Sequence, residues 1–467
     1  MVSRPGGFTC WTVVMAAAVT CVASPSLQNA AARPQRAHHE SSRSEDTRTQ
    51  WFRDAKFGMF IHWGPYSLAS VEASWPIMRP EPGGISQDEY VNLYKRFNPT
   101  QFDPAAWVRL AQEAGQRYMV FTTKHHDGFC MFDSSLTDYK VTNTPYGKDV
   151  TAMLAKAAHE AGMPIGFYYS PPDMHNTNFR DTTKLVKDSW HGDPERLQWA
   201  NYLDYMAGQL HELLSHYGPV AVIWFDGLDC PYKYNPWRML PLIHALQPKA
   251  LVNDRLGLPG DFGSSAFEEG VPKGVPTTTG TVEPLTYGSR ASLSQTAPPP
   301  EHFRLWEECM TINDTWAYNK NDRHYKSTKE LIQTLADVAS KGGNFLLDVG
   351  PTPEGTIQPE FVERLRAMGR WLKVNGDSIY GTTYGPLQNL PFGKTTAKGD
   401  TVYLHVFDWP SAETLHLSDF SGQVGAVSVL ATGDKLQFKQ EGSGVTINVP
   451  PAAPDPNDSV IRIQLRR

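Results

Sequence analysis

The chain has 467 residues, a net charge of −6, and 40% hydrophobic against 20% charged residues, with 13 Trp, 19 Tyr and 21 Phe. That apolar content supports a packed core and excludes a wholly disordered chain; the acidic balance and the lack of a basic stripe argue against nucleic acid as a partner. At about 100–200 residues per domain, the length predicts two or three domains, or one large barrel with an appendix.

The first 24 residues read as a secretory signal peptide. Arg4 opens a positive segment, Thr9 to Ala23 is apolar but short for a membrane span, and small residues follow at Ala23 and Ser24. A secreted or periplasmic location is the expectation. Residues 25–47 are polar and predict a flexible leader; no later apolar run predicts a membrane span. Removal of the signal leaves Cys130, Cys230 and Cys309, too few for a disulfide scaffold and without a C-x-x-C pair.

From Lys56 onward, apolar runs of strand length alternate with helical patterns. The runs 56–64, 118–129, 164–170, 221–227, 250–255 and 344–351 predict buried parallel strands. Helices are predicted over 104–115, 149–162, 195–218, 328–343 and 359–376, several ending at glycine. Repeated strand–helix units over residues 48–386 predict an α/β fold, either a TIM-type barrel or an open doubly wound sheet, and the lack of a G-x-G-x-x-G after an early strand weakens a dinucleotide-binding reading. Residues 260–301, rich in Gly, Pro, Ser and Thr, read as one long irregular loop and a candidate lid. After Gly385 no helical pattern remains. Short strands at 401–409, 414–420, 426–433, 435–440, 444–450 and 459–467 predict a C-terminal antiparallel β-sandwich over 387–467.

The polar residues gather at the ends of the predicted strands: His62, His125-His126-Asp127, Tyr169, Trp224 with Asp226, and Asp254-Arg255. In a barrel those ends meet at one mouth, where active sites are built. A metal site is not favoured, because adjacent histidines on one strand face opposite ways and His125 and His126 cannot both easily reach one ion. A serine nucleophile would need a G-x-S-x-G elbow, which is missing. There remains a carboxylate pair. Asp226 lies near Arg255, a cation that would keep it ionised as a nucleophile requires, and a second carboxyl of raised pKa would serve as acid and then base. That is the chemistry of a retaining glycosidase.

In order along the chain, WFRDAKFGMFIHWGPYS (51–67), KHHDGFCMFDS (124–134), GFYYSP (166–171), IWFDG (223–227), VNDR (252–255), WEECMTINDTWAY (306–318), SKGGNFLLDVGPTPEG (340–355) and NGDSIYGT (375–382) resemble the family 29 glycoside hydrolases, the α-L-fucosidases. The resemblance implies a TIM-like (β/α) barrel, retention of configuration, no metal, no cofactor, a terminal fucose on an oligosaccharide or glycoconjugate as substrate, and Asp226 of WFDG as nucleophile. It places His62, His125, His126, Tyr169, Trp224 and Arg255 in the sugar pocket, where imidazoles and a guanidinium would hold hydroxyls and aromatic faces would cover the ring and its methyl. One of the two adjacent histidines is expected to face the barrel wall.

The chain departs from the family pattern twice. Where many members carry Glu-Trp after the first strand, this chain has Ser74-Trp75; Trp75 carries over as a sugar contact and Ser74 does not. The stretch resembles the branch strict for α1,3/α1,4-linked fucose. The loop after Gly260-Asp261-Phe262 lacks the usual T-P-E-Q string, and anchoring on Val271-Pro272 puts the acid/base at Glu268, with Glu269, Glu307 and Glu283 as alternatives. Two other functions stand beside a fucosidase: a fucose-binding pseudoenzyme, and a retaining hydrolase for a related galactose-type sugar.

Overall fold

The computed structural model describes residues 47–227, 231–266, 304–387 and 390–466. The signal and leader over 1–46, most of the loop after Phe262, Glu268, Glu269, Glu283 and Cys230 lie outside the described residues. Among those described, no helix is long and apolar enough to cross a membrane.

Eight strands form one parallel sheet: β1 (Phe57–Ile61), β2 (Met119–Lys124), β3 (Ile165–Tyr169), β4 (Val222–Phe225), β5 (Leu251–Val252), β6 (Gly263–Ala266), β7 (Trp306–Thr311) and β8 (Asn344–Val349). Their order is β5-β4-β3-β2-β1-β8-β7-β6. A single parallel bridge, Asn253 to Phe262, joins the two ends and curls the sheet into a TIM-like barrel. This seam is stitched largely by side chains. Across it the Asn253 amide donates to Ser264 Oγ at 3.1 Å, and the same amide bonds the N–H and the C=O of Phe225 on the neighbouring β4, each at 2.9 Å. Asp261 Oδ2 accepts from the Val252 N–H at 2.9 Å.

Side chains alternate along each strand, as a sheet covered on both faces requires. Phe60, Val120, Tyr168, Val222, Trp224 and Leu346 fill the barrel interior. Met59, Phe121, Phe167, Tyr169, Ile223 and Phe225 belong to the larger core under the helices. Gly58 leaves room inside for the Tyr118 ring, which a β-carbon there would meet at 2.5 Å.

Three short helices, α1 (Gln50–Ala55), α2 (Trp75–Met78) and α3 (Gln87–Val91), precede the longer α4 (Pro104–Glu113), α5 (Val150–Glu160), α6 (Trp199–His216), α7 (Pro236–Leu246), α8 (Thr328–Ser340) and α9 (Pro359–Asn375). Capping marks several starts. Asp103 and Asp149 accept from the third helical N–H, and Ser327 forms a capping box with Glu330. Several elements depart from the sequence reading, α7 and β6 among them. α7 carries Pro236 in its first turn and Pro241 inside, so its sequence reads as broken although the helix continues. Gly263–Ala266 has the composition of a loop but pairs with β7.

The C-terminal part holds two antiparallel sheets. One orders β9 (Thr383–Tyr384), β10 (Gly393–Lys398), β11 (Thr401–Val406), β13 (Val424–Val429) and β16 (Ser459–Leu465) as β13-β16-β11-β10-β9. The other orders β12 (Thr414–Leu417), β14 (Phe438–Glu441) and β15 (Gly444–Asn448) as β12-β15-β14. Leu404, Leu415, Ile447, Ile461 and Ile463 pack between them. Trp371 of α9 ties this unit to the barrel, its indole N–H donating to the Asp458 carbonyl at 2.9 Å. Cys130 and Cys309 are buried in separate clusters, one under the helices and one inside the barrel, so they do not pair with each other.

Candidate active site

A bulge in β2 sets the geometry of the mouth. Thr122 pairs with Tyr168 and Lys124 with Tyr169, leaving Thr123 as the extra residue. Such an insertion re-aims the side chains that follow it. Lys124 turns outward to Asp173 Oδ2 at 3.1 Å and lies over the Tyr169 ring at 4.3 Å. The strand then ends, and a turn closes with the Gly128 N–H on the His125 carbonyl. Gly128 has a φ of 85°, and a β-carbon there would lie 2.1 Å from Asp173 Oδ1.

Because β2 has ended, the expected opposition of His125 and His126 does not hold, and both rings reach the mouth with centroids 4.3 Å apart. His126 Nδ1 is 2.7 Å from Ser170 Oγ, and its Nε2 is 3.5 Å from Asp226 Oδ2. His125 Nδ1 is 2.5 Å from Ser74 Oγ, which also accepts from the Asp127 N–H at 3.0 Å. Burial, then the neighbouring His126 and His62, push the His125 pKa well below its usual value, so this ring is neutral and carries both a donor and an acceptor. Ser74, at the position of the missing glutamate, is thus a support for the two histidines. Ala73 before it holds a φ of 38°, strained for a residue with a β-carbon. Tyr90 Oη donates to its carbonyl at 2.9 Å and to Asp127 Oδ2 at 2.9 Å.

Asp226 sits just past the end of β4 with its side chain 17% exposed. Oδ1 accepts from Arg255 Nη1 at 2.8 Å, and Oδ2 from Tyr168 Oη at 2.9 Å. Burial pushes this carboxyl up, but Arg255 first and His126 next overcome it and hold the group well below the usual carboxylate range. The guanidinium also covers the Trp224 ring at 4.9 Å and donates to Ser264 Oγ through Nε. Tyr168 stacks with His125 on one side and Trp224 on the other, at 5.5 and 5.6 Å between centroids.

The placement of Tyr169 is a correction. Its ring is buried outside the barrel and its hydroxyl donates to Gln209 Oε1 at 2.8 Å, away from the mouth. Alternation along β3 sends Tyr168 inward and Tyr169 outward. His62 faces the mouth, its Nδ1 2.7 Å from Asp348 Oδ1, whose carboxyl burial raises to about 6. Trp75 is half-buried, its ring 6.2 Å from that of His126.

Glu307 is wholly buried inside the barrel beneath Trp224. It accepts from Trp224 Nε1 at 2.8 Å and from Tyr118 Oη, and burial raises its pKa to about 7. Both oxygens are engaged with the wall, so it does not face the mouth. The sequence reading missed Tyr168, Ser74 and Trp316. Trp316 lies beside His62 with centroids 5.2 Å apart, its backbone N–H donating to Glu72. Strand parity could have found Tyr168; nothing local marks Trp316.

An ionised, partly exposed carboxylate thus lies in a cup of imidazole and aromatic rings, suited to a hydroxylated ring with one apolar face. The chain as a whole is similar to known proteins. The family model described as "Alpha-L-fucosidase" matches residues 23–377, and "Alpha-L-fucosidase C-terminal domain" matches 392–464. An alpha-L-fucosidase of Dictyostelium discoideum is 29% identical over 435 residues, 86% of this chain and 89% of its own. The structure of alpha-L-fucosidase isoenzyme 1 from Paenibacillus thiaminolyticus superposes with a TM-score of 0.76 at 33% identity, covering 90% of this chain and 99% of that one. A Bacteroides thetaiotaomicron alpha-L-fucosidase, solved as a trapped covalent intermediate with 2-fluoro-fucosyl fluoride, has a TM-score of 0.73 at 28% identity and covers 91% of this chain and 97% of its own. With a matching barrel, a matching C-terminal unit and this site between strand ends, the chain belongs to the alpha-L-fucosidase family.

Proposed function

We propose that Asp226 is the nucleophile with which this enzyme, a retaining glycoside hydrolase, releases terminal α-L-fucose from glycans. The observation that carries the role is the Arg255–Asp226 pair at the end of β4, which keeps one carboxylate ionised and open to the mouth. Asp226 attacks the anomeric carbon as the bond to the leaving oxygen breaks, forming a glycosyl-enzyme. The acid/base gives that oxygen a proton, then takes one from the water that displaces the carboxylate. Glu268 is our assignment for this second group, ahead of Glu269 and Glu283; the burial of Glu307 beneath Trp224 argues against it. His62, His125, His126 and Tyr168 line the cup with donors and acceptors for sugar hydroxyls, and Trp75, Trp224 and Trp316 supply apolar faces. The Ser74-Trp75 stretch supports a preference for α1,3/α1,4-linked fucose, and the leading segment supports a secreted or periplasmic protein.

The test is Asp226→Gly on 4-nitrophenyl fucoside. Turnover should fall by about three orders of magnitude or more, each tenfold being about 1.4 kcal/mol of barrier, and azide should restore part of it. Retention of more than about a tenth of wild-type turnover would remove Asp226 from the role.

A further inference from the structure

Beyond the cup, Trp75 leads outward to a second feature. Trp75 opens α2 and Arg79 caps its C-terminus, on the loop that leaves β1 at the same mouth. The Arg79 guanidinium carbon lies 5.3 Å from the Trp75 ring centroid and 5.9 Å from that of Trp190, on the loop after β3. Two indoles from different loops therefore hold one cation. Trp190 is buried, and its ring stacks with that of the exposed His191 at 3.6 Å between centroids. Arg79 is half-buried, and among the described residues no carboxylate pairs with it. Asp226, His126, Trp75 and Arg79 follow one another as neighbours, so the guanidinium stands beyond Trp75 on the outer side of the cup.

Aromatic faces satisfy the flat sides of a guanidinium but leave its N–H edge unused. A planar fork of donors best fits a ligand with two acceptor oxygens and a negative charge, such as a carboxylate or a sulfate. A sugar hydroxyl engages only one donor and brings no charge.

We infer that Arg79, clamped between Trp75 and Trp190, recognises an anionic substituent, a carboxylate or a sulfate ester, on the glycan to which the fucose is attached. The inference rests on the fucosidase reading and adds the class of leaving group. Its test compares kcat/KM on one fucosylated oligosaccharide in neutral, sialylated and sulfated forms, beside 4-nitrophenyl fucoside. The wild type should favour at least one anionic form by about tenfold at low salt, and the preference should shrink as salt is added. Preference for the sialylated form alone assigns a carboxylate, for the sulfated form alone a sulfate, and for both a site that reads charge. Arg79→Gln should abolish the preference while hydrolysing the neutral oligosaccharide and 4-nitrophenyl fucoside within about twofold of wild type; Arg79→Lys should keep part of it. Equal rates on all three oligosaccharides by the wild type overturn the inference, as does an equal loss on all of them in a folded Arg79→Gln protein. The wild-type comparison and its salt dependence decide the matter if that variant does not fold. Failure to release fucose from 4-nitrophenyl fucoside and from all three oligosaccharides would instead overturn the fucosidase reading and the inference with it.

Discussion

Replacing Arg255 with methionine keeps an aliphatic stem over Trp224 and removes the charge and donors that face Asp226. At the observed 2.8 Å separation the pair attracts by about 6 kcal/mol at an effective dielectric of 20, an upper bound because the guanidinium is itself partly desolvated. An adjacent arginine lowers an aspartate midpoint by about 1–3 pH units in proteins, so its removal should raise that of Asp226 by as much. The sign follows from the opposing influences. In the wild type Arg255 and His126 outweigh burial, so the carboxyl is held well below the usual carboxylate range. In the variant burial favours the protonated form and loses its main opponent. Labelling by 2-fluoro-fucosyl fluoride reports the nucleophile with little call on an acid, because fluoride leaves without much proton help. The labelling rate of Arg255→Met should show an acid limb about 1–3 pH units above that of the wild type, and Arg255→Lys should restore most of the difference. An unmoved limb with weakened sugar affinity would refute the reasoning and reduce Arg255 to a sugar contact.

Two more outcomes follow from the interior of the barrel. Tyr168→Phe removes a hydrogen bond to a charged carboxylate and should lower kcat/KM about 10–100-fold, whereas Tyr169→Phe should leave activity near wild type and cost about 1–3 kcal/mol in stability by stranding Gln209; the reverse pattern in steady-state kinetics and melting would contradict the inward placement of Tyr168. Glu307 has a folded midpoint of about 7 against an ordinary 4.5, so its stabilising form is the protonated one, complete below about 4.5 and lost as the pH rises through about 7. The melting temperature of Glu307→Gln should therefore gain on the wild type by a few degrees between those limits, and a pH-independent gap would show that the acid is not raised.

How far the sequence could be read depended on which physical signal each element carries. Long apolar runs such as 344–351 and caps such as Ser327 with Glu330 mark buried strands and helix starts locally, and most of the barrel was legible from them. β6 was not, because Gly-Ser-Ser-Ala has no apolar signal and is a strand only by pairing with β7. α7 was hidden by Pro241. At the site, strand-end position found Asp226 and Arg255. The choice between Tyr168 and Tyr169 depends on parity, and a one-residue error there reverses inside and outside. His125 and His126 converge because β2 ends before them, just past a bulge, and both features show only in the pairing of β2 with β3. Trp316 reaches the cup by tertiary folding from a loop more than two hundred residues away in sequence from His62.

The seam between β5 and β6 carries a consequence for mutational drift. A backbone ladder is indifferent to which residues it joins, so most strands of this barrel can exchange one apolar side chain for another and keep their pairing. At the seam, the Asn253 side-chain amide donates to Ser264 Oγ of β6 while also pairing with the N–H and the C=O of Phe225 on β4, so one amide links three strands. Aspartate would turn an acceptor toward the Phe225 carbonyl, glutamine would displace the amide by a methylene, and an aliphatic residue would offer neither group. Asn253, two residues before Arg255, thereby shares the closure of the barrel with Asp261, which holds Val252, and with Asp254, which holds the Ser264 N–H. Evolution can rewrite the walls of this barrel more freely than its clasp.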